Sequence, residues 1–501
     1  MSMTLAEWAR QLGWSFPHAF VSGRKIEGVS VNTARISEGD LFVCMPSTRR
    51  DTHEFLAEAK SKGAGAALVH SAEGLLIASQ LGLDAIQLTP EPKRAFLGEV
   101  AAIAHGVLGE PCRRLVTYGV TGTNGKTSTA IFLQQALTSA GQATAYLGTL
   151  GYGPPTGERE TLANTTPFPV ELAQLLARAV DDGAQAIAME ASSHALEENR
   201  LAHCAFDVAI FTNLSQDHLD FHGSMEAYAG AKKRLFTEWA AIAREKGKVP
   251  QFALNADDPV ASRWLEDVPM ALTYGRQGGD LRITPVRVAL DRIRFRADYQ
   301  GDQAELDLGV GGNFNVDNAA AALAGLVAGG MNLEEAANAM ANIQPVRGRF
   351  EPVPNDHGIF VIVDYAHTPD AVEKLLMSAR EVCPGRVITV FGCGGDRDRT
   401  KRPLMAQAAA RQSDELVVTS DNPRTEDPEK ILDDVVAGLA GATYDRIADR
   451  PAAIAHAVHR AQPGDLVVIA GKGHEDYQII GHTKYPMDDV ELARRALETK
   501  P

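Results

Sequence analysis

One unit recurs along this chain and limits what it can fold into. A short apolar run ends in a polar loop rich in reactive side chains, and a helical stretch follows. Leu115 to Val120 leads into Thr121-Gly122-Thr123-Asn124-Gly125-Lys126-Thr127, and Ala186 to Met189 leads into Glu190-Ala191-Ser192-Ser193-His194. Val208 to Phe211 leads into Thr212-Asn213-Leu214-Ser215-Gln216-Asp217-His218. The pattern returns at Phe360–Val363, Val387–Val390, Leu416–Val418 and Leu466–Ile469. Strands alternating with helices predict an α/β protein whose parallel sheets are covered on both faces. In such sheets ligands bind beyond the carboxyl ends of the strands, where these loops lie.

At 501 residues the chain has room for about three domains. Residues 1–108 read as a small N-terminal α/β domain. Asp40-Leu41-Phe42-Val43 and Ala66-Ala67-Leu68-Val69 are its buried strands, His53 to Lys62 is a helix stopped by Gly63, and Glu110-Pro111 is a linker. Residues 109–345 form a central phosphate-loop domain with a parallel sheet flanked by helices. Its stretch 280–309 alternates, as in Ile293-Arg294-Phe295-Arg296, and predicts an antiparallel side sheet. Residues 346–501 form a doubly wound, Rossmann-like C-terminal domain.

Composition narrows the class of function. Hydrophobic residues at 45% and charged residues at 23% exclude a disordered chain. The net charge of −15 disfavours general binding to nucleic acid or anionic lipid, so an anionic ligand needs a local cluster of cations and backbone N–H groups. No apolar window reaches the roughly 18 residues of a membrane span, and the N-terminus lacks the pattern of a secretory signal. The five cysteines are scattered and form no CxxC, which fits a reducing cytosol and gives no thiolate metal site. The expected location is cytoplasmic, with no membrane insertion, and the expected state is a monomer.

The run Gly122-Thr123-Asn124-Gly125-Lys126-Thr127-Ser128 follows a strand and opens a helix that runs to Ala140, with Gly141 as its stop. Glycines let backbone N–H groups close around phosphate oxygens, Lys126 meets the terminal phosphates, and the Thr127 hydroxyl suits Mg²⁺. Val120 stands where the general G-x-x-x-x-G-K-[ST] pattern has glycine, so the loop is a variant.

That variant loop resembles the ATP site of the Mur ligases, the cytoplasmic amino-acid-adding enzymes of peptidoglycan synthesis, whose relatives include folylpolyglutamate synthetase. Further matches follow in order: Glu190 before Ser192-Ser193-His194, Asn213 to His222, Phe314-Asn315-Val316-Asp317-Asn318 and Arg347-Gly348-Arg349-Phe350-Glu351. Then come Asp364 to Asp370, Gly392 to Asp398 and Asp421-Asn422-Pro423-Arg424. The resemblance spans nearly the whole chain and is most specific from residue 115 onward. In the first domain the family often has Asp-Ser-Arg where this chain has Asn32-Thr33-Ala34.

The resemblance implies an ATP-dependent amide ligase working through an acyl phosphate, with UDP-N-acetylmuramoyl-L-alanyl-D-glutamate as the acyl substrate. Its catalytic residues would be Lys126, Glu190, His218, Lys232 and Arg349. Thr127, Glu190, His218 and a carbamylated Lys232 would hold Mg²⁺. Read alone, Lys232 and Lys233 look like a solvated basic helix face; a carbamate would turn Lys232 from a cation into a metal-binding anion. Asn315 and Asn318 would lie on the adenosine side and Asp364 on the ribose. Thr33, Thr165, Thr166, Ser192, Glu198 and Arg200 would face the UDP substrate.

The amino acid would dock on Arg397, Asp421, Asn422, Pro423, Arg424, Gly471 and Glu475. Family members that add meso-diaminopimelate end the Asp-Asn-Pro motif in Arg, and a guanidinium can grip that substrate's distal carboxylate through two parallel hydrogen bonds. Glu475 and the Gly471 carbonyl would hold the ammonium on the same carbon, and Arg397 the other end. L-Lysine as the added residue, and an ATP-binding scaffold without chemistry, are the competing readings.

Overall fold

The computed structural model describes residues 3–14, 23–47 and 50–500. Its sheets fall in three successive stretches of chain.

The first sheet has four parallel strands in sequence order, Gly28–Ser30, Asp40–Val43, Ala66–Val69 and Asp84–Gln87. The helix expected from His53 begins instead as a 3₁₀ turn, Thr52–Phe55, because the Asp51 side chain caps the His53 N–H at 3.0 Å. Regular α-helix covers only Leu56–Ser61. Pro111, expected with Glu110 as a linker, instead opens the 3₁₀ turn Pro111–Arg113, in which Pro111 and Cys112 are buried. Helix Lys93–Val107 packs Leu97, Val100 and Ile103 into the same core as Val170 and Ala173 of the following unit.

The second sheet has ten strands. Its centre is Val116–Thr121, flanked in parallel by Ala186–Glu190 and Val208–Phe211. Helices Lys126–Ser139 and Asn313–Ala328 cover one face of it. The alternating stretch forms three antiparallel strands, Leu281–Val288, Ile293–Tyr299 and Asp302–Leu308. They are not a separate side sheet. Leu281–Val288 pairs with Leu272–Gly275, and the buried faces of Ile283, Ile293 and Phe295 join the core under helix Asn313–Ala328. Burying these alternate apolar residues against that helix draws the hairpins onto the main sheet edge.

The third sheet orders its six strands Glu351–Pro352, Phe360–Asp364, Leu466–Ala470, Val387–Phe391, Glu415–Val418 and Tyr444–Arg446. All but the first are parallel. Helices Pro369–Val382, Lys401–Gln412 and Pro428–Val436 bury one face, and Arg450–Arg460 with Asp489–Glu498 bury the other. Every residue of Leu466–Ala470 is fully buried, which explains its unbroken apolar sequence.

Candidate active site

The site begins where Val116–Thr121 gives way to helix Lys126–Ser139. Gly122 (φ +153°) and Gly125 (φ +83°) carry the turn. A Cβ at Gly122 would lie 1.9 Å from Thr212 Oγ1, and one at Gly125 would lie 2.2 Å from Asn318 Oδ1. Val120 is still a strand residue, paired with Glu190 and Ile210, so no glycine is needed there. Lys126 folds back, donating from Nζ to the Gly122 and Thr123 carbonyls at 2.9 and 2.8 Å. Burial lowers its pKa and Arg349 adds to this, while Glu190 and Asp217 oppose it.

Glu190 ends the neighbouring strand and is fully buried. Its Oε1 accepts from Tyr146 Oη at 2.7 Å and the Thr149 N–H at 2.8 Å; its Oε2 accepts from Thr149 Oγ1 at 3.2 Å. Burial and Glu190 together raise the Tyr146 pKa, so the phenol remains the donor. One carboxylate oxygen is thus committed to the protein, and the other keeps capacity toward the cleft. A Cβ on Gly148 would strike both Glu190 Oε1 and Tyr146 Oη, at 2.3 and 2.4 Å. The sequence reading missed Tyr146, Thr149 and Gly148 because it did not single out the strand Thr144–Gly148.

His218 stands at the cleft rim in a left-handed conformation (φ 52°), at the start of the short helix Leu219–His222. Its ring packs edge-on against His194 at 4.7 Å. Loss of hydration in this wall pushes its pKa down to about 4, with His194, Lys126 and Lys232 adding and Asp217 opposing. The ring is therefore neutral at pH 7 and keeps a nitrogen lone pair.

Lys232 departs from the solvated face that its own sequence suggests. It lies inside helix Met225–Glu245 and is 1% exposed, with Nζ donating to the Gly122 carbonyl at 2.7 Å and standing 4.4 Å over the Tyr228 ring. Burial, reinforced by Lys126, drives its pKa well below the ordinary lysine value. Lys233, the next residue along the helix, projects away from it and pairs with Asp267. The helix buries this stripe because Leu235, Phe236 and Trp239 belong to the core beneath it.

Across the cleft, Arg349 stacks over Tyr365 at 4.7 Å and reaches Thr127 Oγ1 from Nη2 at 3.3 Å. Its buried Nε has no hydrogen-bond partner among the described residues. Asn315 donates to the Gly311 carbonyl at 2.7 Å and accepts from Asn318 Nδ2 at 2.9 Å, so neither asparagine is an N-cap. The Asp364 carboxylate accepts the Phe350 and Ala366 N–H groups at 2.7 and 2.8 Å; burial raises its pKa and Arg349 opposes this. Asp370 also bridges the units, accepting from Asn124 Nδ2 at 3.2 Å and Ser215 Oγ at 2.9 Å.

Most of these groups line one cleft of about 670 Å³ between the second and third sheets, while the predicted Gly122 and Asn315 lie behind its wall. The cleft takes in Thr123 to Ser128, Glu190, His218, Lys232, Asn318, Arg349 and Asp364, and also Thr165, Thr166, Ser192 and Arg200. Thr166 Oγ1 donates to the Glu190 carbonyl at 2.8 Å, and Arg200 Nη1 to the Thr166 carbonyl at 3.2 Å. Glu198 does not line the cleft; it pairs with Arg200 at 2.6 Å and Lys93 at 2.5 Å. Thr33 lies outside as well, opening the 3₁₀ turn Thr33–Arg35.

The predicted amino-acid residues form a second group at the strand ends of the third sheet, outside this cleft. Arg424 (φ 51°) donates from Nη1 to the Gly395 carbonyl at 2.7 Å and has no ion pair among the described residues. Arg397 is exposed and, among the described residues, hydrogen-bonds only the Asp396 carbonyl, at 3.4 Å. Glu475 Oε2 accepts from Asn422 Nδ2 at 2.8 Å and Lys472 Nζ at 3.2 Å. Gly471 (φ +117°) is held close, since a Cβ there would lie 2.7 Å from Asp421 Oδ2. The sequence reading passed over Lys472, which is 0% exposed; a lysine between two glycines gave no sign of burial.

A phosphate loop facing a buried carboxylate, a buried lysine and an arginine from the next domain defines an ATP-using ligase of the α/β class. The Mur ligase middle domain model matches residues 120–326, and the model described as Mur ligase, glutamate ligase domain, matches 348–473. The chain belongs to the Mur ligase family. It is 41% identical over 483 residues, 95% of each chain, to a UDP-N-acetylmuramoyl-L-alanyl-D-glutamate--2,6-diaminopimelate ligase of Geobacillus kaustophilus. It is 44% identical over 481 residues, 94% of each chain, to the protein of the same name from Synechococcus elongatus. A solved structure bearing that name superposes with a TM-score of 0.67 at 32% identity, covering 99% of both chains. MurF ligase from Thermotoga maritima, solved with ADP, shares the fold at 19% identity, with a TM-score of 0.63 over 95% of this chain and 99% of that one.

Proposed function

We propose that this protein joins meso-2,6-diaminopimelate to UDP-N-acetylmuramoyl-L-alanyl-D-glutamate, forming ADP and phosphate, in cytoplasmic peptidoglycan precursor synthesis. Near-full-length identity of 41–44% to ligases so named supports the reaction. The observation that carries the choice of amino acid is Arg424, which has no carboxylate partner among the described residues and follows Asn422, itself bonded to Glu475.

The substrate carboxylate attacks the γ-phosphorus of ATP, giving an acyl phosphate and ADP. The amine then attacks the acyl carbon, phosphate leaves, and the amine loses a proton. Charge builds on the phosphoryl oxygens in the first step, so Lys126 and Arg349 must face them from opposite walls of the cleft. The unpartnered Arg349 Nε and the glycine-lined loop fit a bound triphosphate.

Mg²⁺ fits the donor set: the Thr127 hydroxyl, the free capacity of Glu190 Oε2 and the neutral His218 ring. When bound it would neutralise phosphate charge. Lys232 completes the set only as an anion. Its buried, depressed amine is the form that adds CO₂, giving a carbamate and releasing one proton. Thr165, Thr166, Ser192 and Arg200 would orient the acyl substrate, whose uridine end would lie on residues 1–108. The third unit would present the amino acid as a monomeric protein closes around its substrates.

Phosphate release from ATP that requires both the UDP substrate and meso-diaminopimelate is the expected result. Release with neither present would overturn the reading.

A further inference from the structure

Lys472 makes no hydrogen bond or ion pair, among the described residues, with the cleft residues above, yet it is fully buried in the second group. An ammonium in that position is costly unless it is paired. Lys472 Nζ donates to Asn422 Oδ1 at 3.1 Å and Glu475 Oε2 at 3.2 Å. Asn422 Oδ1 also accepts the Ile479 N–H at 2.9 Å, which fixes the amide so that Nδ2 faces the same Glu475 oxygen, at 2.8 Å. Both donors fall on Oε2, and Oε1 accepts no hydrogen bond among the described residues. Arg450, fully buried with Asp489, holds the two loops at a set spacing through the Ser420 and Ala470 carbonyls, at 3.5 and 3.1 Å.

The charges on these loops then balance. Asp421 and Glu475 carry two negative charges, and Arg424 and Lys472 two positive ones. A distal carbon bearing both carboxylate and ammonium is likewise neutral, whereas the distal end of L-lysine carries one positive charge. We propose that Lys472 is a positioning and specificity-determining residue: it aims Glu475 Oε1 and, by cancelling one carboxylate, denies the subsite the negative charge that would draw in L-lysine. This rests on the reading of residues 421–424 and 471–475 as the amino-acid subsite.

The test measures kcat and KM for meso-diaminopimelate, L-lysine and ATP in the full chain. Lys472→Met should raise KM for diaminopimelate about tenfold or more and leave KM for ATP within about twofold. It should also raise the lysine-to-diaminopimelate ratio of kcat/KM by about tenfold. Glu475→Gln, which leaves the subsite one charge too positive, should push that ratio the other way. Lys472→Arg keeps the charge and should keep the ratio within about threefold. If Lys472→Met lowers the melting temperature too far to assay, the last two variants carry the test. A ratio that does not move, or moves the same way in both charge-changing variants, overturns the proposal. Arg424→Ala separates the two levels: an unchanged KM for diaminopimelate in that variant would remove the subsite itself.

Discussion

Arg349→Ala is the sharpest probe of the cleft. Arg349 reaches the ATP-binding unit through one hydrogen bond, to Thr127 at 3.3 Å, and its Nε is unpaired, so removing it costs the fold little. The loss falls on the reaction. A full charge about 4 Å from a developing negative charge, at an effective dielectric near 20, is worth ~4 kcal/mol. Each 1.4 kcal/mol is about tenfold, so turnover should drop by roughly 10²- to 10³-fold. ATP affinity should change far less, because the partner charge grows mainly in the transition state. Single-turnover phosphate release, with ATP binding followed by calorimetry, measures both. Unchanged turnover with weakened ATP binding would refute the reasoning and place Arg349 in ground-state binding.

Lys232→Ala should abolish nearly all turnover while ATP still binds, and a small carboxylate should restore part of it by supplying the missing anion; near-normal activity would exclude the carbamate. Tyr146→Phe removes one of two donors on Glu190 Oε1 and should weaken Mn²⁺ binding, read by electron paramagnetic resonance, several-fold without moving the melting temperature by more than a few degrees. Acid should destabilise the fold through His105. Burial, with Lys246 and His203, holds its pKa to about 3 against 6.5 unfolded, so the unfolded chain binds the extra proton. That stability is complete above about pH 6.5 and is lost as pH falls toward 3, amounting to ~2 kcal/mol at pH 5. Denaturant unfolding at pH 7 and 5 should show this slope, and His105→Leu should flatten it.

Much of this was legible from one dimension. Parallel strands buried on both faces are unbroken apolar runs, so Ala186–Glu190, Val208–Phe211 and Leu466–Ala470 stood out. Lys126 and Glu190 drew attention as candidates because each lies in a loop that follows such a run, whereas His218 became a candidate only through resemblance. Lys232 was readable only through resemblance, since the sequence around it reads as a charged face. The alternating hairpins were recognised as strands, but their attachment to the main sheet depends on a core shared with helix Asn313–Ala328, far along the chain. Tyr146, Asp370 and Lys472 matter through partners 44, 246 and 50 residues away, which local pattern does not encode.

The measurement that bears most directly on the account is the choice of amino acid. With ATP and UDP-N-acetylmuramoyl-L-alanyl-D-glutamate supplied, meso-diaminopimelate and L-lysine are offered separately, kcat/KM is measured for each, and the product is identified by mass. A lysine would leave Arg424 only its hydrogen bond to the Gly395 carbonyl, and the missing charge-assisted pair with a distal carboxylate costs roughly 10²-fold or more in selectivity. The account predicts a product carrying diaminopimelate, at least that strongly preferred. Comparable kcat/KM for the two amino acids would contradict it.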